Sequence, residues 1–232
     1  MTTPAFWAVI PAAGIGSRMR ADRPKQYLDL AGRSILERTL DCFLGHPRLK
    51  GLVVCLATDD PWWPTLPSAS NERIQRADGG RERADSVLNG LLRLTELGAG
   101  SDDWVLVHDA ARPNLARSDL DRLLDQLEFD AVGGLLGVPA RDTLKRVGAD
   151  GRVVETIDRS VVWQAYTPQM FRLGALHRAL ADALVADAAI TDEASAMEWA
   201  GYQPRMVEGR IDNIKVTTPE DLQRLQRHFA KP

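Results

Sequence analysis

The sequence predicts an α/β domain: a mostly parallel sheet with helices on both faces and a projecting β-arm. Three observations carry that expectation. Short apolar runs alternate with segments of helical periodicity along nearly the whole chain, the pattern of strands joined through crossover helices. No internal repeat and no low-complexity linker interrupts the alternation, so a single core domain spanning residues 1–232 is expected. Between residues 140 and 160 the pattern changes to alternating, charged segments around a turn, which reads as a hairpin outside the core.

In chain order, residues 6–10 (FWAVI) form a short strand that ends at Pro11 and a glycine-rich turn. Residues 35–44 have helical spacing, and 51–57 (GLVVCLA) read as a buried strand. A strand is expected at 74–77, then a helix at about 83–97. Residues 104–107 (WVLV) form a strand that runs straight into His108 and Asp109. Residues 120–127 are helical, and 131–138 form a strand loosened by three glycines. The two arm strands, 143–147 and 152–157, are joined by GADG at 148–151. A two-stranded ribbon with no core to cover is marginal alone, so a homodimer through the 140–160 arm is expected. The chain returns with 161–165, a helix at 174–186, a short helix from Asp192, the 213–216 run and a closing helix at 219–229.

Composition narrows the class. The chain has 232 residues, 44% hydrophobic and 26% charged, the balance of an ordinary globular protein rather than a disordered or fibrous one. Nothing approaches the ~18 consecutive apolar residues of a membrane helix, and no signal-peptide core is expected in the first fifteen residues. Cys42 and Cys55 sit in apolar runs and read as reduced thiols of a cytoplasmic protein. The formal net charge of −3 gives no global field for nucleic acid. An anionic ligand must therefore be held by a local cluster of cations. Lysine is rare beside arginine, so Lys25 and Lys215 stand out.

Four segments carry candidate chemistry. PAAGIGSRMR (11–20), followed by PKQ (24–26), offers backbone N–H groups to an anion. It has no Walker triplet, and it places Met19 where the dinucleotide fingerprint needs a small residue. Arg18 and Lys25 beside this nest suit a triphosphate. In WVLVHDAARP (104–113), Asp109 stands at the carboxyl end of a strand, where α/β sheets bind ligands. One carboxylate with phosphate oxygens and water suits Mg²⁺; alternatively Asp109 caps a helix and pairs with Arg112. His108 reads as a packed or orienting histidine. In DGGRERADSV (78–87), paired glycines and Ser86 can read the edge of a base, or form a plain turn before a charged helix start. The fourth group is dispersed over RDT (141–143), Asp158 and Arg159, TPQ (167–169), ITDEAS (190–195) and DNIKV (212–216). Within it Thr191 reads equally as a helix cap.

Taken jointly and in this order, these motifs closely resemble the 2-C-methyl-D-erythritol 4-phosphate cytidylyltransferase family, over about residues 5–228. The resemblance implies a Rossmann-like nucleotidyltransferase fold, a homodimer, dependence on Mg²⁺, and CTP and a polyol phosphate as substrates in isoprenoid precursor synthesis. It implies that Ala12, Ala13, Gly14, Arg18 and Lys25 hold the triphosphate and that Gly80, Arg81 and Ser86 read cytosine. Asp109 would serve the metal with Ala110 and Arg112 beside it. Thr143, Arg159, Thr167, Thr191 and Lys215 would surround the acceptor. The chain departs from the family pattern at Arg81, where relatives carry other residues.

The chemistry agrees with that resemblance. A phosphomonoester has its second pKa near ~6 and is already a nucleophile at neutral pH, so no general base is needed. Charge compensation is what such a transfer requires, and Arg18, Lys25, Lys215 and Mg²⁺ are assigned to it. Three rivals remain: a cytidylyltransferase for another polyol phosphate, a nicotinamide-dependent oxidoreductase with Asp59 or Asp60 as ribose ligand, and an inert nucleotide-binding dimer.

Overall fold

Alternation of apolar side chains to both faces explains the sheet. In β1 (Phe6–Pro11) Phe6, Ala8 and Ile10 pack into one hydrophobic cluster, while Trp7 and Val9 pack into another on the opposite face. The computed structural model describes residues 4–14, 16, 19 and 22–230. A two-residue ladder, β2 (Asp29–Leu30) with β3 (Arg33–Ser34), leads into α1 (Ile35–Leu44). Ser34 caps that helix, and Glu37 returns to the Ser34 N–H in a capping box. β4 (Leu49–Leu56), β5 (Ile74–Asp78), α2 (Arg83–Glu96), β6 (Trp104–Val107) and α3 (Arg117–Leu127) follow.

β7 (Gly133–Pro139) leads into the arm strands β8 (Leu144–Val147) and β9 (Val153–Ile157), which pair with each other in a separate two-stranded sheet. β10 (Trp163–Arg172), α4 (Leu173–Val185), α5 (Glu193–Trp199), β11 (Arg205–Glu208) and α6 (Pro219–Phe229) complete the chain. The main sheet has the order β11-β7-β10-β6-β1-β4-β5, parallel except for β10, which runs antiparallel to β6 and β7. No crossover helix lies between β7 and β10. The arm is inserted into what is otherwise a hairpin connection, and that connection forces the antiparallel direction.

On one face Leu36, Leu40 and Phe43 of α1 pack with Leu120, Leu123 and Leu127 of α3. On the other, Val87, Leu91 and Leu94 of α2 pack with Leu176 and Leu180 of α4 and Met197 of α5. A third cluster gathers Met19, Leu30, Ile35, Val216 and Leu225. Met19, which breaks the dinucleotide fingerprint, thus serves as packing. Cys42 and Cys55 are free thiols, and burial pushes both up to about 12, which keeps them unreactive. Among the described residues no helix is long and apolar enough to cross a membrane.

Three expectations need correction. Of residues 161–165 only 163–165 are strand, the start of a ten-residue strand that continues through Pro168 to Arg172, while Val161 closes a 3-10 turn. β11 was absent from the sequence reading, and residues 213–216 have no regular structure. The cap of α5 is Asp192, whose side chain accepts from the Ser195 N–H, and not Thr191.

Candidate active site

The carboxyl ends of β1, β5 and β6 open onto one pocket of about 220 Å³. Backbone bonds fix its loops: the Ala12 N–H donates to Cys55 O at 2.8 Å and the Gly79 N–H to Leu56 O at 2.7 Å. The two loops also touch. A Cβ on Gly79 would stand 2.2 Å from the Ala13 Cβ, so only glycine lets the 79–82 turn close on the 12–14 loop. Ala12, Ala13, Gly14 and Lys25 line one side of the pocket, and Gly80, Arg81 and Ser86 another. Asp109, Ala110 and Lys215 line the floor between them. Segments spread over some two hundred residues of chain therefore meet at one pocket.

Asp109 is the electrostatic centre. Arg83 Nε donates to its Oδ1 at 3.2 Å, while Arg112 Nε (3.3 Å) and Lys215 Nζ (3.0 Å) lie on Oδ2. Burial opposes the carboxylate charge, but Arg83, Lys215 and Arg112 outweigh it and hold the group well below the usual carboxylate range. The pairing with Arg112 considered from sequence is present as one of three. Lys25 joins the same wall, donating from Nζ to Val216 O at 3.0 Å, next in the chain to Lys215.

Beneath Asp109 lies a closed polar platform. His108 is fully buried, and its Nε2 lies 3.0 Å from Arg112 O. A carbonyl can only accept, so Nε2 carries the proton and Nδ1 accepts from the Thr167 hydroxyl at 2.9 Å. That hydroxyl in turn accepts the Asp109 N–H at 3.1 Å. Burial pushes His108 down to about 4, so it is a neutral orienting histidine. Asn213 closes the platform: its side-chain amide donates to Thr167 O (2.9 Å), and its backbone O accepts from Arg112 Nη1 (2.7 Å). TPQ, HDAAR and DNIKV are thus one hydrogen-bonded unit.

Ser86 has a defined remaining capacity. Its hydroxyl donates to Glu82 O (3.1 Å) and accepts the Gly80 N–H (3.0 Å). A hydroxyl has one proton and two lone pairs, so what Ser86 can still offer a ligand is an acceptor and no donor.

Other candidates fall elsewhere. Arg112 and Thr167 are buried beneath Asp109 rather than lining the pocket. Thr143 and Arg159 belong to the exposed arm, where the Arg159 guanidinium donates to Arg141 O. Thr191 borders a neighbouring cavity that Glu193 also lines, with Arg83 lining both cavities. Arg18 lies outside the described residues. Asp60, weighed from sequence as a ribose ligand, is spent on Tyr27 Oη (2.7 Å) and on the backbone N–H groups of Trp62 and Trp63.

Sequence reasoning missed Arg83, Glu193 and Gln169. Arg83 binds Glu193 through both terminal nitrogens, at 2.7 and 3.1 Å, and Glu193 is only 1% exposed. Gln169 bonds Asp192 Oδ2 (2.8 Å) and the Ala194 N–H (2.7 Å). A signal existed for each, since all three stand inside motifs already singled out.

The family model of "IspD: 2-C-methyl-D-erythritol 4-phosphate cytidylyltransferase" matches residues 6–230. A protein of that name from Pseudomonas aeruginosa is 78% identical, over 99% of both chains. One from Pseudomonas fluorescens is 74% identical, over 98% of this chain and 97% of the relative. A crystal structure of a 4-diphosphocytidyl-2C-methyl-D-erythritol synthase superposes with a TM-score of 0.84 at 38% identity, covering 97% of this chain and 99% of the other. The corresponding cytidylyltransferase from Thermus thermophilus gives 0.77 at 29% identity, covering 98% of each. Sequence and backbone agree from end to end, and the chain belongs to the IspD family of 2-C-methyl-D-erythritol 4-phosphate cytidylyltransferases.

Proposed function

We propose that the pocket binds CTP and the 4-phosphate of 2-C-methyl-D-erythritol side by side, and that an acceptor oxygen attacks the α-phosphorus in line, releasing pyrophosphate. The observation that carries this reading is the convergence of Lys25, Lys215 and Asp109 with the 12–14 and 80–86 loops on one pocket. The acceptor is a phosphomonoester with its second pKa near ~6, so it arrives as a dianion and needs no base. Among the described residues the only histidine under the site is buried and neutral, which agrees with a mechanism built on positioning and charge. Lys25 and Lys215 stabilise the charge that gathers on the α-phosphate. Lys215 spends one N–H on Asp109 and keeps others for phosphate oxygens.

The residues fit a Mg²⁺ ion held chiefly by its ligand. Among the described residues no group of three His, Cys, Asp or Glu side chains could cage a metal. Asp109 has lone-pair capacity left mainly on Oδ1, where one hydrogen bond falls, against two on Oδ2. One carboxylate with phosphate oxygens and water suits Mg²⁺. Bound there, the ion would supply charge neutralisation to the triphosphate.

Ser86 accounts for the choice of base. Its free lone pair accepts an N–H from the cytosine amino group, whereas uracil presents a carbonyl, and two acceptors would face each other unpaired. A buried mismatch of that kind costs about 1–3 kcal/mol, a preference of ~10–10² for CTP. Pyrophosphate release should therefore be fast with CTP and methylerythritol phosphate, slow with UTP or ATP, and lost without Mg²⁺. Equal rates with UTP would overturn the reading of the 80–86 loop. A faster rate with another polyol phosphate, such as ribitol 5-phosphate, would reassign the acceptor.

The arm completes the proposal. Val147, Val153, Val154 and Val161 on and beside it are exposed, and Thr143 and Arg159 lie outside the pocket of their own chain. A two-fold dimer through the arm covers those valines and brings Thr143 and Arg159 to the partner's acceptor site.

A further inference from the structure

We propose that Arg83, oriented by Glu193, is a positioning residue that sets the direction of the Asp109 carboxylate. The inference rests on the reading of Asp109 given above. Arg112 and Lys215 both hold Oδ2, and Arg83 alone among the described residues holds Oδ1. Without Arg83 the carboxylate keeps its anchor but can turn about it. Oδ1 is also the oxygen with the greater spare capacity toward a cation, so its direction matters to the bound nucleotide.

Glu193 decides where the guanidinium lies. Its two oxygens take both terminal nitrogens of Arg83 at 2.7 and 3.1 Å, against the single 3.2 Å contact from Nε to Asp109. A bidentate, charge-assisted pair is the stronger and more directional of the two. Glu193 is itself immobilised. Gln169 on β10 grips the residues on either side of it, bonding the Asp192 carboxylate and the Ala194 N–H. The line of support runs from the sheet through Gln169 to the start of α5, through Glu193 to Arg83, and so to Asp109. A single ammonium cannot serve both carboxylates in one plane as this fork does.

The test compares Glu193→Gln, Arg83→Lys, Asp109→Asn and the double variant Glu193→Gln/Asp109→Asn in the full-length protein. Glu193 does not line the nucleotide pocket, and the Arg83 side chain is 29% exposed, so the freed guanidinium in Glu193→Gln can turn to water. Glu193→Gln should lower kcat by ~10–10², the range for groups that orient a metal ligand, with a smaller rise in the KM for CTP. CTP titrations by calorimetry, in EDTA and in Mg²⁺, should show the gain in affinity on adding Mg²⁺ shrinking in Glu193→Gln. Arg83→Lys should reproduce the loss of kcat although it keeps the charge. In the Asp109→Asn background the Glu193 substitution should cost less than about twofold, because a group acting through Asp109 has nothing left to orient.

Thermal unfolding identifies a variant that merely fails to fold; should Glu193→Gln do so, Arg83→Lys decides. A kcat within about twofold of wild type in both Glu193→Gln and Arg83→Lys overturns the proposal. So does a full additional loss in the double variant with the Mg²⁺ gain intact, which would mark the pair as structural. An active Asp109→Asn enzyme would instead remove the reading of Asp109 on which the proposal stands.

Discussion

At the scale of single residues, charge and hydrogen-bond capacity carry the argument. Lys25 and Lys215 both line the pocket, and in the proposed reaction their charge is needed most as the α-phosphate passes through five-coordination. Lys25→Ala or Lys215→Ala should lower kcat by ~10²–10³, about 2.7–4 kcal/mol, while calorimetric CTP affinity falls less. A Lys25→Ala enzyme with near-normal kcat would remove the assignment. His108 makes a prediction about stability. Its pKa is about 4 in the fold and about 6.5 when unfolded. Between these values the folded chain binds fewer protons than the unfolded one, so stability rises with pH through that window. The contribution is complete above pH ~6.5 and is lost as pH falls toward ~4; between pH 7 and pH 5 it amounts to about 2 kcal/mol. His46, shifted in the same direction by burial, adds to the slope. Denaturant unfolding of wild type and His108→Asn at those two pH values should show the variant with the shallower dependence. Which residues gather at the pocket was legible where a motif named the residue type. The partner of a charge was not: Arg83 and Glu193 stand 110 positions apart, and only the fold brings α2 and α5 together.

At the scale of elements, local chemistry fixed the helices better than the strands. α1 and α6 begin and end where spacing and capping residues place them, with Ser34 and Glu37 boxing one and Thr218 and Asp221 the other. β10 was legible only in its first three residues. Pro168 and the polar Gln169 break an apolar run, yet Gln169 is 1% exposed because the start of α5 satisfies its amide. β11, an edge strand with two charged ends, carries little apolar periodicity to read. The seating of α2 gives a prediction. A Cβ on Gly90 would lie 2.5 Å from Val9 Cγ1 and 2.8 Å from Cys55 Sγ. Helix propensity favours alanine there by about 1 kcal/mol, but overpacking a filled core costs about 1–3 kcal/mol. Val9 and Cys55 are fully buried on central strands and cannot retreat, so the overlap wins. Gly90→Ala should lower the unfolding free energy by up to about 2 kcal/mol at unchanged denaturant slope. It should also weaken CTP binding, because α2 carries Arg83 and Ser86. A more stable Gly90→Ala protein would mean that the sheet has slack beneath α2.

At the scale of the whole molecule, one pocket is assembled from loops at one edge of the sheet, while two acceptor candidates stand apart on the arm. The arm strands pair only with each other, and their valines are left in solvent. Dimerisation through the arm would bury them, and each site would then combine Lys25 of one chain with Arg159 of the other. Lys25→Ala and Arg159→Ala homodimers should each be nearly inactive. In a mixed dimer one site carries both lesions and the other carries neither, so one of two sites works. Equal amounts and random assortment make half the dimers mixed, which predicts about a quarter of wild-type activity under two-fold symmetry. The measurement is to unfold and refold the two variants together and to assay pyrophosphate release, with mass spectrometry confirming mixed dimers. Self-contained sites predict something different: each mixed dimer would then have one lesion in each site, and activity would stay near zero. Recovery to about a quarter therefore requires that the arm deliver Arg159 across the two-fold axis; mixed dimers without recovery would return Arg159 to its own chain, and an active Arg159→Ala homodimer would leave it no role in the reaction.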